Sequence, residues 1–206
     1  MNRLSILTRV VLISLWIILG GCGGSPASRF YVLSPMPASE NNMQVKTGKG
    51  CYAIGIGPVT LPDYTDRPEI VTRISPNKLS LAEFDRWAEP LVDGFPRIFM
   101  ENLSSLLCAD PMTLYPLRGP TPIDYRVEVE VLLLDGTLGE SASLVALWII
   151  IDEKESRILL TRRSNFSSPA TPGGYEALVS AQSQNIAALS REIAEALKTV
   201  ISNKRE

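Results

Sequence analysis

The 206-residue chain reads as an α/β protein in which a mixed, substantially antiparallel sheet carries two main helices. Three observations predict this. Residues 123–134, IDYRVEVEVLLL, alternate apolar and charged side chains, the two-residue period of a strand with one face in water. Residues 142–151 and 157–163 follow after turns and complete a meander. Residues 94–107 and 175–201 instead place apolar side chains near the 3.6-residue period of amphipathic helices. No repeated βαβ rhythm demands a dinucleotide fold.

The chain opens with Arg3 and Arg9 and no acid in its first nine residues. Residues 10–19, VVLISLWIIL, are apolar apart from Ser14, and Gly20-Gly21-Cys22 follows. A basic start, a short apolar run and small residues before a cut describe a secretory signal. The run is too short to cross a ~30 Å hydrocarbon core comfortably, although an uncleaved N-terminal anchor is the competing reading. Leu19-Gly20-Gly21-Cys22 resembles the bacterial lipobox, which implies removal of residues 1–21 and acylation of Cys22, palmitate being an expected acyl group. Gly23, where an inner-membrane lipoprotein of enteric bacteria has Asp, favours the outer membrane by the same resemblance. Residues 22–28 then form a lipidated tether, and 29–206 a single domain of sufficient length to bury a core. Without Arg3 and Arg9 the chain keeps 22 acidic residues against 18 basic ones. No Lys/Arg cluster is dense enough to follow a phosphate backbone, so nucleic acid is not an expected partner.

From the N-terminal side, RFYVLS at 29–34 reads as the first strand, and 35–50 as a long connection. YAIGIGPVT at 52–60 resumes a strand whose glycines leave room for close backbone approach. Residues 69–75 and 78–84 make a hairpin across Pro76-Asn77, with Leu79, Leu81 and Phe84 competing for the buried side. Asp93 is the expected cap of the helix over 94–107, which puts Pro96 at the third helical position, where no N–H is required. Its stripe is Phe95, Ile98, Phe99, Leu103, Leu106 and Leu107, with Asn102 as the polar exception. Residues 112–115 add a short strand, and prolines 111, 116, 120 and 122 confine the chain to turns and extended pieces. After the meander, with its charged turn Asp152-Glu153-Lys154-Glu155, Pro172-Gly173-Gly174 precedes the last helix. Leu178, Ile186, Leu189, Ile193, Leu197 and Val200 form its apolar stripe.

Catalytic patterns are sparse. The absence of histidine removes Ser-His-Asp and Cys-His nucleophile systems and the common His-containing zinc sites. The acids between Asp63 and Asp93 alternate with Arg67, Arg73, Lys78 and Arg86, and they lack EF-hand spacing, so they read as a salt-paired surface. Gly55-x-Gly57 is incomplete as a dinucleotide motif, and there is no Walker A sequence. No enzyme activity, cofactor or metal is expected. Cys51 and Cys108, 57 positions apart and in no CxxC motif, are either a disulfide, permitted outside the cytoplasm, or two buried thiols; the former is preferred.

Two segments are more specific: IGIGPVTLPDYTDRPEIVTR at 54–73 and LAEFDRWAEPLVDGFPRIFMENL at 81–103. With SRFYVLSP near the start and the lipobox, they resemble the PqiC/YmbA family, the auxiliary lipoprotein components of ABC-type transport, over nearly all of the mature chain. That resemblance implies a three-layer α/β fold, ring-forming homo-oligomers and an accessory role in MCE-type lipid transport. The partners it implies are an MCE-domain tunnel protein and its inner-membrane component, with this chain docking or organising the tunnel at the outer membrane. The alternative is a purely structural envelope lipoprotein without lipid contact. The matching residues include Tyr64, Asp66, Arg67, Arg86 and Trp87, whose aromatic area and guanidinium groups suit partner contact. For Trp87, core packing is the competing role. Pro96 departs from the family pattern and limits the carry-over around 93–97.

Overall fold

The structure is a computed structural model and describes residues 26–37, 51–116 and 122–204. The expected signal peptide, Cys22, residues 23–25 of the tether, residues 38–50 of the long connection and Pro120 lie outside the described residues.

The strands divide between two sheets. β1 (Arg29–Tyr31), β3 (Glu69–Ser75) and β4 (Lys78–Trp87) form a three-stranded sheet in the order β1-β4-β3. β2 (Tyr52–Thr60), β5 (Ala109–Leu114), β6 (Tyr125–Thr137), β7 (Ser141–Asp152) and β8 (Arg157–Pro169) form a second, ordered β5-β2-β6-β7-β8. Parallel pairs join β1 to β4 and β2 to both β5 and β6, while the long β6-β7-β8 meander and the β3-β4 hairpin are antiparallel. Helix α1 (Leu91–Leu106) packs on β2 and β5, α2 (Tyr175–Asn203) packs on β6, β7 and β8, and the helices touch each other. This is a three-layer α/β domain with two main helices and mixed, mostly antiparallel sheets.

Alternation places Tyr125, Val127, Val129 and Val131 of β6 in the core, facing Ala142, Leu144, Ala146, Trp148 and Ile150 of β7. The stripe of α2 covers them, and Leu178, Ile186, Leu189, Ile193 and Leu197 are fully buried. Burying a Leu or Ile side chain stabilises by roughly 1.5–3 kcal/mol, so this stripe is a principal source of helix docking. Gly136 allows the close fit at its N-terminal end. A Cβ there would lie 2.4 Å from the Ser141 carbonyl oxygen and 2.7 Å from Leu178 Cδ1. Gly57, with φ +112°, lies where the β2–β6 register shifts.

Two local expectations are corrected. Helix α1 begins three residues earlier than expected, with Pro90 at its N-cap, so Asp93 lies inside the first turn and is not the cap. There it faces the positive end of the helix dipole. Pro96 consequently falls in the second turn, where its missing N–H leaves the carbonyl of Val92 without an intrahelical donor; Val92 is 46% exposed, so water can serve instead. In β4, Ala82 takes the buried side and Leu81, opposite Val71, is exposed. The polar Asn102 of α1 is explained by its Oδ1, which accepts the Met36 N–H at 2.8 Å.

Candidate functional site

The two specific sequence segments meet at the three-stranded sheet. The first runs through a short 3-10 helix (Asp63–Thr65) into β3, and the second through the end of β4 into α1. The Trp87 N–H donates to the Pro68 carbonyl at 2.7 Å, and Glu69 is in register with Arg86. Proline at 62 and 68 restricts the first strand-to-strand passage, and Pro90 sets the direction of α1.

The most strongly bonded residue here is Asp85, 3% exposed. Its carboxylate accepts two bonds from Arg29, from Nε and Nη2 at 2.7 Å each, and one from the Tyr31 hydroxyl at 2.7 Å. Arg29 and Tyr31 lie two apart on β1 and so share one side of the strand, and the parallel register sets Arg29 opposite Asp85. The hydrogen-bonded Arg29 guanidinium holds the Asp85 carboxyl below the usual carboxylate range, against the opposing effect of burial. Burial, reinforced by the bond to Asp85, pushes the Tyr31 phenol up. FDRW is therefore, in part, a clasp for the N-terminal strand. No motif singles out Arg29 and Tyr31 in the sequence; their two-residue spacing is visible there, but their register with Asp85 is not.

A second clasp joins the hairpin to β6. Asp135, 2% exposed, accepts Arg73 Nε at 2.9 Å and Nη2 at 2.6 Å, and the Tyr64 hydroxyl lies 3.4 Å from the same oxygen. The Leu134 N–H donates to that hydroxyl at 3.1 Å. Burial pushes the Tyr64 phenol up, opposed by the Leu134 N–H. Tyr64 thus acts as an internal strut. Trp87, 6% exposed, packs into the core, the role weighed against partner contact for it. The side chains left toward solvent are Asp66, Arg67 and Arg86. Arg86 reaches Glu69 only at 3.8 Å, and the Nε atoms of Arg67 and Arg86 are buried without a hydrogen-bond partner among the described residues.

Cys51 and Cys108 are disulfide-bonded, with Cα atoms 5.0 Å apart, immediately before the parallel strands β2 and β5. Among the described residues no group of His, Cys, Asp or Glu could hold a metal ion.

One clasp thus ties the N-terminal strand to β4 and a second ties the hairpin to the large sheet, so both specific segments brace the fold. The family model of the ABC-type transport auxiliary lipoprotein component matches residues 31–194, and the chain belongs to that family, whose role is non-enzymatic. It is similar to the intermembrane transport lipoprotein PqiC of Escherichia coli K12, 23% identical over 188 residues that cover 89% of this chain and 95% of that protein. PqiC of Shigella flexneri matches to the same extent. Among solved structures, an uncharacterized protein shares the fold with a TM-score of 0.66 at 20% identity, covering 84% of this chain and 99% of the other. Protein XCC0632 from Xanthomonas campestris does so with 0.65 at 14%, covering 86% and 98%.

Proposed function

We propose that this chain is an outer-membrane lipoprotein, anchored through acylated Cys22 with its domain in the periplasm, that docks or organises the tunnel of an MCE-type intermembrane lipid-transport system. Its partners are an MCE-domain tunnel protein, that protein's inner-membrane component and further copies of itself. Family membership and similarity to intermembrane transport lipoproteins support the transport setting. The observation that carries the docking role is the pair Arg67 and Arg86. Both come from the specific segments and both are partly exposed, Arg67 just before β3 and Arg86 on β4, with the Arg86 side chain 41% exposed. Such guanidinium groups suit an acidic surface, which they can bind in bidentate fashion.

The double substitution Arg67→Glu/Arg86→Glu tests this. Charge reversal adds repulsion to the loss of hydrogen bonds, so affinity for the purified MCE-domain protein is expected to fall at least about tenfold. The thermal midpoint should change little. Unchanged affinity in a folded variant places docking elsewhere; equal losses of folding and affinity assign both arginines to structure.

A further inference from the structure

A groove of about 1020 Å³ runs between the N-terminal strand and α2. One wall is β1 and the residues after it, with Phe30 64% and Val32 50% exposed; Ser168 of β8 belongs to the other wall. Both walls are sheet ends, since β1 and β8 are each terminal in their strand order. The floor is the face of α2 bearing Ser180, Ala187 and Ala188, side chains small enough for a backbone to lie close against the helix. Glu176 and Arg191 stand at the two ends, and neither has an ion-pair partner among the described residues.

We propose that this groove binds an extended peptide segment of a partner protein, paired with the open edge of β1. The backbone supports this. The Tyr31 carbonyl accepts the Ala88 N–H at 2.9 Å and so faces β4. Strand alternation turns the N–H and C=O of Phe30 and Val32 to the opposite edge. The Val32 N–H and C=O make no hydrogen bond among the described residues, whereas the Ser34 N–H further along is taken by Ser183 Oγ at 3.1 Å. An open stretch therefore starts at β1 and ends at Ser34, the arrangement on which an added strand docks.

Length and charge define the occupant. From Glu176 to Arg191 the helix rises about 22 Å at ~1.5 Å per residue, enough for about seven residues of strand at ~3.3 Å each. The peptide needs apolar side chains at alternate positions toward Phe30 and Val32, a basic group near Glu176 and an acidic group near Arg191. An acyl chain offers no partner to the open backbone, the serines or either ion. Phe30 is in register with Arg86 on the neighbouring strand, but neither Arg67 nor Arg86 lines the groove, so Ser180→Trp and Arg191→Glu test this proposal while Arg67→Glu/Arg86→Glu tests the docking role.

The test uses a phage-displayed heptapeptide library panned on the purified full chain, followed by fluorescence anisotropy with the enriched synthetic peptide. Enriched sequences should alternate apolar residues and carry opposite charges at their ends. Ser180→Trp, which fills the groove, should weaken binding at least about tenfold. Arg191→Glu should do the same, and a peptide with lysine in place of its acidic residue should restore affinity to that variant. Binding unaffected by both substitutions, or no enriched peptide displaced from the groove, overturns the proposal. So does a self-association abolished by Ser180→Trp, or an acyl chain found in the groove by crosslinking to Ala188. Should Ser180→Trp fail to fold, Arg191→Glu at its exposed position and the charge-swapped peptide decide the matter.

Discussion

Asp85→Ala removes the clasp between β1 and β4 without opening a large cavity. Three contacts of 2.7 Å are lost together. They are not equal. The Arg29 side chain is 66% exposed, so water replaces most of what it loses, and its share is heavily screened. The Tyr31 hydroxyl is less fortunate, because it gives up a charged acceptor in a partly buried place. A hydrogen bond to a charged group contributes about 1.5–3 kcal/mol net, which puts the whole loss at roughly 2–3 kcal/mol. In a domain of this size each kcal/mol shifts the thermal midpoint by about 2–4 °C, so a decrease of roughly 4–12 °C is expected. The pH dependence is a sharper check. The folded Asp85 carboxyl titrates below its unfolded value of about 3.9, so its contribution is complete above that value and is lost as pH falls through the lower folded one. The midpoint difference between wild type and variant should hold from pH 7 to 5 and shrink as pH falls below about 4. Differential scanning calorimetry measures it, and hydrogen exchange should show faster opening at residues 29–31. A variant as stable as wild type at pH 7, or a difference undiminished at pH 3, refutes the clasp.

Leu189→Asp places a carboxylate at a fully buried position of α2, where lost packing and burial of charge together should cost at least about 3 kcal/mol in urea unfolding; a near-neutral effect would contradict the docking of this face. Serine at Cys51 and Cys108 opens a loop of 57 residues, and chain entropy puts the loss near 4 kcal/mol; mass spectrometry of thiol-blocked, unreduced protein should find neither cysteine alkylated. Cys22→Ser should release a folded domain from the membrane fraction, and the wild-type protein should have a mature N-terminus at acylated Cys22; an intact Met1 terminus would contradict processing.

Periodicity was informative wherever a single element faced a single core. The alternation of β6 and the stripe of α2 each report one face buried and one wet, and both appear where the sequence puts them. Leu81 and the start of α1 were less legible because a neighbour decides them. Pairing with Val71 across the hairpin places Leu81 on the outer side, and Pro90, not the more usual side-chain cap of Asp93, begins the helix. Extension of β8 to Pro169 was similarly hidden: Ser164, Ser167 and Ser168 carry little strand preference, and pairing with the apolar β7 holds them in place.

The specific segments show the same division between local pattern and long-range register. Tyr64 and Trp87 are the residues a sequence reader would select for contact, since aromatic side chains supply area at low entropic cost. Area also makes them the best core fillers, and here Tyr64 bonds toward Asp135 while Trp87 joins the core. The charged members divide too. Asp85 is committed to Arg29 and Tyr31, 56 and 54 positions away, whereas Arg67 and Arg86 each have a buried Nε with no hydrogen-bond partner among the described residues. Asp85 fixes the strand that follows the expected lipid tether, and the partly exposed arginines near it are the ones proposed for docking. If anchoring and docking were mechanically coupled through this motif, loosening β1 with Asp85→Ala should lower affinity for the MCE-domain partner even though both arginines are intact; an unchanged affinity would separate the two roles.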